Sequence, residues 1–188
     1  MTEREQPCAE CQALAYSGRH EPYLVSDIPE RLRFWRCSTC LSLWWENEHD
    51  VSVLTETAAD ALLPRWRAEA AWVQGDLTAA LDAFARGTIS VETLQIALLH
   101  HELWFAPPEP LAAAGSLEVF SSADRAIASG IDTPLRAAAA TLLARTAAAS
   151  IVVDRDGPHP VVFDGQAARD IYAYAVETVP RPQAEGRS

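Results

Sequence analysis

The sequence predicts an α+β protein in which a small four-cysteine segment, with three short antiparallel strands, packs on a mixed α+β module. Three observations support this class. Two CxxC pairs contain all four cysteines of the 188-residue chain. Short β-branched and aromatic runs alternate with longer segments whose apolar residues recur at helical spacing. Hydrophobic residues make up 49% of the chain, which is enough for a substantial core.

The three predicted strands lie around the second cysteine pair. Residues 23–26 form the first strand, residues 31–36 run into Cys37, and residues 41–45 leave Cys40. The second and third strands therefore make a hairpin whose tip carries two cysteines. This plan is similar to that of the zinc-ribbon family.

The cysteines predict a metal centre. They are Cys8, Cys11, Cys37 and Cys40. Four thiolates from two CxxC pairs are the ligand set of a structural zinc site, so we predict a structural Zn²⁺ ion and no open position for a substrate. We also expect loss of the metal to unfold residues 8–45. Ribbons often have Gly directly after each pair, where this chain has Gln12 and Leu41, so we expect strained backbone there.

A broken helix follows the cysteine segment. Thr55 or Thr57 caps a helix that begins at residue 58. Pro64 breaks or restarts this helix, which ends at residue 73. Asp76 and Ser90 are N-cap residues for the next two helices.

The remaining elements alternate between strands and helices. Strands are predicted at residues 103–105, 117–120, 151–153 and 161–163, the last two as a hairpin, and helices after Ser121 or Ser122, at 135–147 and at 166–177. The predicted domains are a zinc-ribbon-like segment at 1–57, a helical connector at 58–75, an α+β module at 76–179 and a flexible tail at 180–188.

The α+β module resembles the SseB-type domain, named for the enhanced-serine-sensitivity protein. The resemblance rests on the helix end at residues 97–99, the strand-to-helix junction at 117–124 and the hairpin that starts at 151–154. It implies an α+β module without established catalytic residues, found in bacterial settings that include secretion and toxin–immunity systems.

The charge predicts the kind of partner. The chain has 26 acidic against 15 basic residues and a net charge of −11. This field repels a phosphate backbone and attracts a basic protein, so we expect a basic toxin or effector as partner and no nucleic acid. The sequence has no secretory signal pattern and no apolar run long enough for a membrane span, so we expect a cytoplasmic protein that binds no membrane.

Two adjacent tryptophans predict a contact surface. Trp44 and Trp45 point to opposite faces of a strand, so both cannot enter one core. The outward ring either packs against the helix that carries Trp66 and Trp72, or anchors a partner. The predicted partner-binding residues are Trp44, Trp45, Glu46, Glu48 and Asp50.

No catalytic constellation is recognised. His100 and His101 are adjacent, whereas a zinc protease needs two histidines at i and i+4. The acidic cluster at residues 154–164 fits a hairpin turn, although its three carboxylates could also bind a cation. We therefore predict a non-enzymatic, immunity-type inhibitor of a basic toxin. The alternatives are a ribbon adaptor for nucleic acid or transcription machinery, and an enzyme with an unrecognised site.

Overall fold

The described part of the chain forms eight helices and nine strands, and its class is α+β, which confirms the predicted fold class. A computed structural model describes residues 7–27, 31–106, 115–145 and 148–178. The flexible tail that the sequence predicts at residues 180–188 lies outside these ranges.

Four strands form an antiparallel meander near the N-terminus. They are β1 (Tyr23–Asp27), β2 (Leu32–Arg36), β3 (Leu43–Glu46) and β4 (Val51–Leu54), paired in chain order. The first three were predicted. The sequence pattern missed β4 because this short edge strand has no fully buried residue and so carries little apolar signal. It also missed the helix α1 (Ala9–Tyr16), in which only Cys11 is buried.

Two helices cover one face of this sheet. They are α2 (Glu56–Leu62) and α3 (Trp66–Gln74). The side chain of Thr55 accepts a hydrogen bond from the Ala58 amide and caps α2, as predicted. Pro64 lies between the two helices, where its ring interrupts the backbone ladder.

The next two helices begin at the predicted caps. Asp76 accepts from the Ala79 amide at the start of α4 (Leu77–Ala85), and Ser90 accepts from the Thr93 amide at the start of α5 (Val91–Leu99). All residues of α5 from 93 to 99 are buried. This helix lies between β1 and α3 on one side and α4 and α8 on the other, so it joins the two parts of the molecule.

Five strands and three helices complete the fold. They are β5 (Glu102–Phe105), β6 (Ser116–Val119), α6 (Ala123–Ala128), β7 (Leu135–Ala138), α7 (Ala139–Ala144), β8 (Ser150–Val153), β9 (Val161–Asp164) and α8 (Gly165–Glu177). Strand β5 pairs with β7, while β6 lies parallel to β8 and β8 pairs antiparallel with β9. The predicted β8–β9 hairpin and the final helix are confirmed.

The predicted helix at 135–147 is wrong in its first turn. Residues 135–138 form strand β7, which pairs with β5 along its whole length. Arg136 lies 5.6 Å from the ring centre of Trp104 and 2.9 Å from the Glu102 carboxylate. These cross-strand contacts, together with the pairing, override the helix propensity of the alanine run.

Three apolar clusters hold the fold together. The largest fills the space among α4, α5, α7, α8 and the C-terminal strands. A second lies between one face of the N-terminal sheet and the two helices α2 and α3. The third lies on the opposite sheet face and contains Cys11, Trp35 and Cys37 together with Val73 and Ile96.

Candidate metal centre

Two different local structures present the cysteines. Cys8 is the N-cap of α1 and Cys11 lies in its first turn, so the helix spacing brings both sulfurs to one side. Cys37 and Cys40 lie in the knuckle that connects β2 to β3, as the sequence predicts. The first pair is therefore at a helix start and not in a hairpin.

The four sulfur atoms meet at one point. All four lie within 4.8 Å of one another. The Sγ–Sγ distance is 3.6 Å for Cys8 and Cys11, 3.8 Å for Cys8 and Cys37, and 3.6 Å for Cys11 and Cys40. A disulfide needs about 2.05 Å, so the thiols are not paired covalently. In the described part of the chain, this is the one group of three or more metal-ligating side chains that converges.

These distances fit a tetrahedral metal ion. With a metal–sulfur bond of about 2.3 Å, the edge of a regular tetrahedron is about 3.8 Å. Cys11 and Cys37 are buried and the other two sulfurs are half-buried. Four protein ligands complete such a shell, so the centre can hold a metal but leaves no position for a substrate.

The surrounding groups shift the cysteine pKa values in opposite directions. Burial, followed by the neighbouring thiols, raises the pKa of Cys11. Burial also acts against ionisation of Cys40, but the Ser42 hydroxyl, 3.3 Å from Sγ, and nearby backbone amides lower its pKa to about 6. Four crowded thiolates repel one another, and a divalent cation among them would offset this repulsion. The sequence analysis did not identify Ser42 as part of this centre, because its only signal is a hydroxyl residue two positions after a cysteine.

The knuckle is strained at one of the two expected positions. Leu41 has φ of 60°, in the left-handed region that disfavours residues with a Cβ atom. Its amide donates to the Cys37 carbonyl at 3.0 Å, which fixes the turn. Gln12, the other position, lies within α1 and is not strained, because the first pair sits on a helix.

Replacement of this leucine by glycine should stabilise the protein. The Leu41 side chain is 53% exposed, so Leu41→Gly loses little packing. It removes about 1 kcal/mol of left-handed strain, partly offset by the greater freedom of glycine in the unfolded chain. We expect a higher urea midpoint with an unchanged slope. Leu41→Ala serves as the control because it keeps the Cβ atom, and an equal gain in that variant would contradict the strain explanation.

The predicted partner-binding residues separate into buried and exposed groups. Trp44 is 3% exposed and stacks on Trp35, so its ring is not available to a partner. Trp45 is half-buried on the opposite face, beside the cluster that contains Trp66, which agrees with the packing alternative. Glu46 is half-buried, while Glu48 and Asp50 are exposed in the β3–β4 turn.

The other polar candidates have structural roles. The ring of His100 contacts the Tyr23 carbonyl at 2.6 Å and ties the end of α5 to β1. His101 contacts the carbonyls of Ala97 and Gly75 at 2.7 and 2.6 Å. Within the acidic cluster at 154–164, the buried Asp154 accepts hydrogen bonds from the amide and hydroxyl of Ser121.

Comparisons with known proteins give no relatives. No protein-family model, no curated protein and no solved structure matches the chain. The resemblance to the SseB-type domain therefore stays a prediction. No helix in the described ranges has the length and apolar character needed to cross a membrane.

Proposed function

We propose that the four cysteines hold a structural Zn²⁺ ion, and that the protein is a non-catalytic binding module for a basic protein. More specifically, it acts as an immunity-type inhibitor that covers a basic surface of a toxin or effector. The observation that carries this proposal is the acidic β3–β4 turn, which is exposed, held by its own hydrogen bonds and placed at the end of β3 opposite the cysteine knuckle.

Zinc is the metal that best fits the donor set. Thiolate ligands select zinc or iron, and a closed tetrahedral shell is typical of structural zinc. Elemental analysis of protein purified without added metal is expected to find one zinc per chain. An iron content of one per chain, with the visible absorbance of iron–thiolate bonds, would contradict this assignment.

The acidic turn is preorganised for binding. The side-chain oxygen of Asn47 accepts hydrogen bonds from the amides of His49 and Asp50 at 2.8 and 2.7 Å. The Asn47 amide in turn donates to the Asp50 carbonyl at 2.9 Å. A turn already fixed in this way loses little entropy on binding, and its carboxylates speed the association with a positively charged partner.

Recovery of the partner from the host tests this function. We expect the tagged protein to retain one basic protein in a 1:1 ratio at moderate salt. This partner should be toxic when expressed alone and harmless when co-expressed with the present protein. Recovery of DNA or RNA, with binding that weakens steeply as salt rises, would support the adaptor alternative instead. Recovery of a small molecule alone would support an enzyme.

Charge variants then locate the contact. Glu48→Gln combined with Asp50→Asn is expected to weaken the complex by about tenfold, mainly through slower association. Asp132→Asn combined with Asp156→Asn is the matched control, because it removes two exposed charges from the other part of the molecule. Equal weakening by both double variants would indicate a diffuse charge effect and would contradict a role for the turn.

A further inference from the structure

A polar cavity lies beside the acidic turn. Its volume is about 270 Å³, and three separate segments form its wall: the α1–β1 connection, the β3–β4 turn and the end of α8. The polar groups that matter here are those of His20, Tyr23, Glu46, Asp50 and Glu177. No local sequence pattern links these residues, since the chain brings Glu177 from the far end of the molecule.

His20 lines this cavity and has an unused hydrogen-bond acceptor buried in the cavity wall. The residue is 2% exposed, and its Nδ1 atom lies 2.7 Å from the Glu21 carbonyl oxygen. Because a carbonyl only accepts, Nδ1 carries the proton and the neutral ring has its lone pair on Nε2. Burial lowers the pKa of His20, which favours this neutral form. Among the described residues, Nε2 has no hydrogen-bond partner.

A second acceptor faces the same space. The Glu177 carboxylate lies 3.7 Å from His20 Nε2, which is too long for a hydrogen bond. Both groups are acceptors when the ring is neutral, so neither can satisfy the other. A group with two N–H donors, placed within hydrogen-bond distance of both acceptors, would satisfy both. A buried acceptor without a partner costs about 1–3 kcal/mol.

The cavity also has an excess of negative charge. Glu46 lies 3.8 Å from the Arg33 guanidinium and accepts from the Tyr23 hydroxyl, while Glu48 pairs with Arg31 at 2.6 Å. The Asp50 and Glu177 carboxylates have no arginine partner among the residues that the structure describes. Within the described ranges, two of the four carboxylates around the cavity therefore have no arginine partner.

We propose that this cavity receives an arginine side chain of the protein partner, an inference that rests on the proposed binding of a basic protein. A guanidinium group is planar and carries five N–H donors in a fork, so one group can donate to Glu177 and, once the half-exposed Glu177 side chain shifts away from the buried Nε2 atom, to His20 as well. Its single positive charge offsets one of the two carboxylate charges that have no arginine partner among the described residues. Lysine offers a compact charge without the planar fork and fits this pair of acceptors less well.

Binding of capped arginine to the intact zinc-loaded protein tests this assignment. The probes are Nα-acetyl-arginine amide, the same derivative of lysine, and the same derivative of citrulline, which has the shape of arginine without the charge. We expect arginine to bind most tightly and citrulline least, with shifts of the His20 and Tyr23 ring signals in NMR spectra. Equal binding of all three, or no shift of these signals, would overturn the proposal.

Variants separate the cavity from general charge. Glu177→Gln and Asp50→Asn should each weaken binding of capped arginine by about tenfold, since each removes an ionic hydrogen-bond acceptor. Asp132→Asn is the control of equal charge change and should leave binding unaltered. Tighter binding of butylamine, which has one positive charge and no guanidinium group, than of capped arginine would assign the cavity to a small amine and would overturn the proposal.

Affinity measurements with the captured partner test the cavity proposal separately from the proposed binding of a basic protein. If Glu177→Gln leaves the affinity for that partner unchanged, the cavity is not its contact, although binding of a basic protein stands. If the wild-type protein retains no basic protein at all, the proposed function fails, and binding of capped arginine then reports on the cavity alone.

Discussion

Removal of the proposed zinc ion is expected to release α1 and the β2–β3 knuckle while most of the N-terminal sheet stays folded. Helix α1 buries only Cys11, so the sulfur ligands are its main attachment. The sheet, in contrast, has apolar clusters on both faces, one against α2 and α3 and one against Val73 and Ile96. The sequence-based expectation that residues 8–45 unfold together assumed that the segment forms little apolar core of its own, and the two clusters favour a smaller unfolding unit instead.

The stability loss should be smaller than in peptides folded by zinc alone. Structural zinc supplies about 10–16 kcal/mol in peptides that have no other core. Here the loss is limited by the free energy needed to open α1 and the knuckle, because the rest of the sheet can remain in place. Opening of a local unit at less than the global unfolding free energy is typical of weakly packed segments.

Hydrogen exchange measured by mass spectrometry checks this expectation. After chelation, the amides of residues 9–16 and 37–42 should exchange rapidly, whereas those of β1 and β2 should keep most of their protection. Added zinc should restore the original pattern. A Cys11→Ser variant at the start of α1, compared with a Thr39→Ser variant in the β2–β3 knuckle, tests the same expectation without a chelator. Full loss of protection in β1 and β2 would show that the metal holds the whole sheet.

Local signals made much of this fold predictable. The CxxC pairs identified the four sulfurs that converge, because only a few residues separate the members of each pair. Thr55, Asp76, Ser90 and Ser122 each cap a helix, since an N-cap depends on residues within one turn. The β8–β9 hairpin follows from two β-branched runs with a turn between them.

Features that depend on distant residues were not predictable. The alanine-rich sequence of β7 favours a helix. Its pairing with β5 holds these residues in an extended conformation instead. Helix α1 has no apolar stripe and is oriented by sulfurs that meet their partners in the knuckle 29 residues away along the chain. The cavity joins His20 to Glu177, and no pattern in either segment indicates the other.

Replacement of Trp35 by alanine should cause the largest loss of stability among single substitutions in the sheet. Its side chain is fully buried and stacks on Trp44, the residue directly opposite on β3, at 5.1 Å between ring centres and 2° between ring planes. Deleting a buried indole leaves a cavity and costs about 3–5 kcal/mol, a large part of the about 5–15 kcal/mol that stabilises a typical domain.

The phenylalanine variant separates ring packing from indole chemistry. In the described residues, the Nε1 atoms of Trp35 and Trp44 are buried without a hydrogen-bond partner. Trp35→Phe keeps a ring against Trp44 and removes one of these unsatisfied donors, so we expect less than half the loss seen for Trp35→Ala. Urea denaturation gives both values. Trp104→Ala, which truncates a half-buried tryptophan in the C-terminal part, is the control.

The Trp35→Ala substitution should also weaken the proposed metal centre. Trp35 belongs to the apolar cluster that contains Cys11 and Cys37, so a cavity there loosens one ligand from each pair. Competition with a zinc chelator is expected to remove the metal from Trp35→Ala at a lower chelator concentration than from the wild-type protein or Trp104→Ala. Equal retention in all three would mean that the sulfur ligands keep their positions without the packing behind them, and that the indole stabilises the sheet alone.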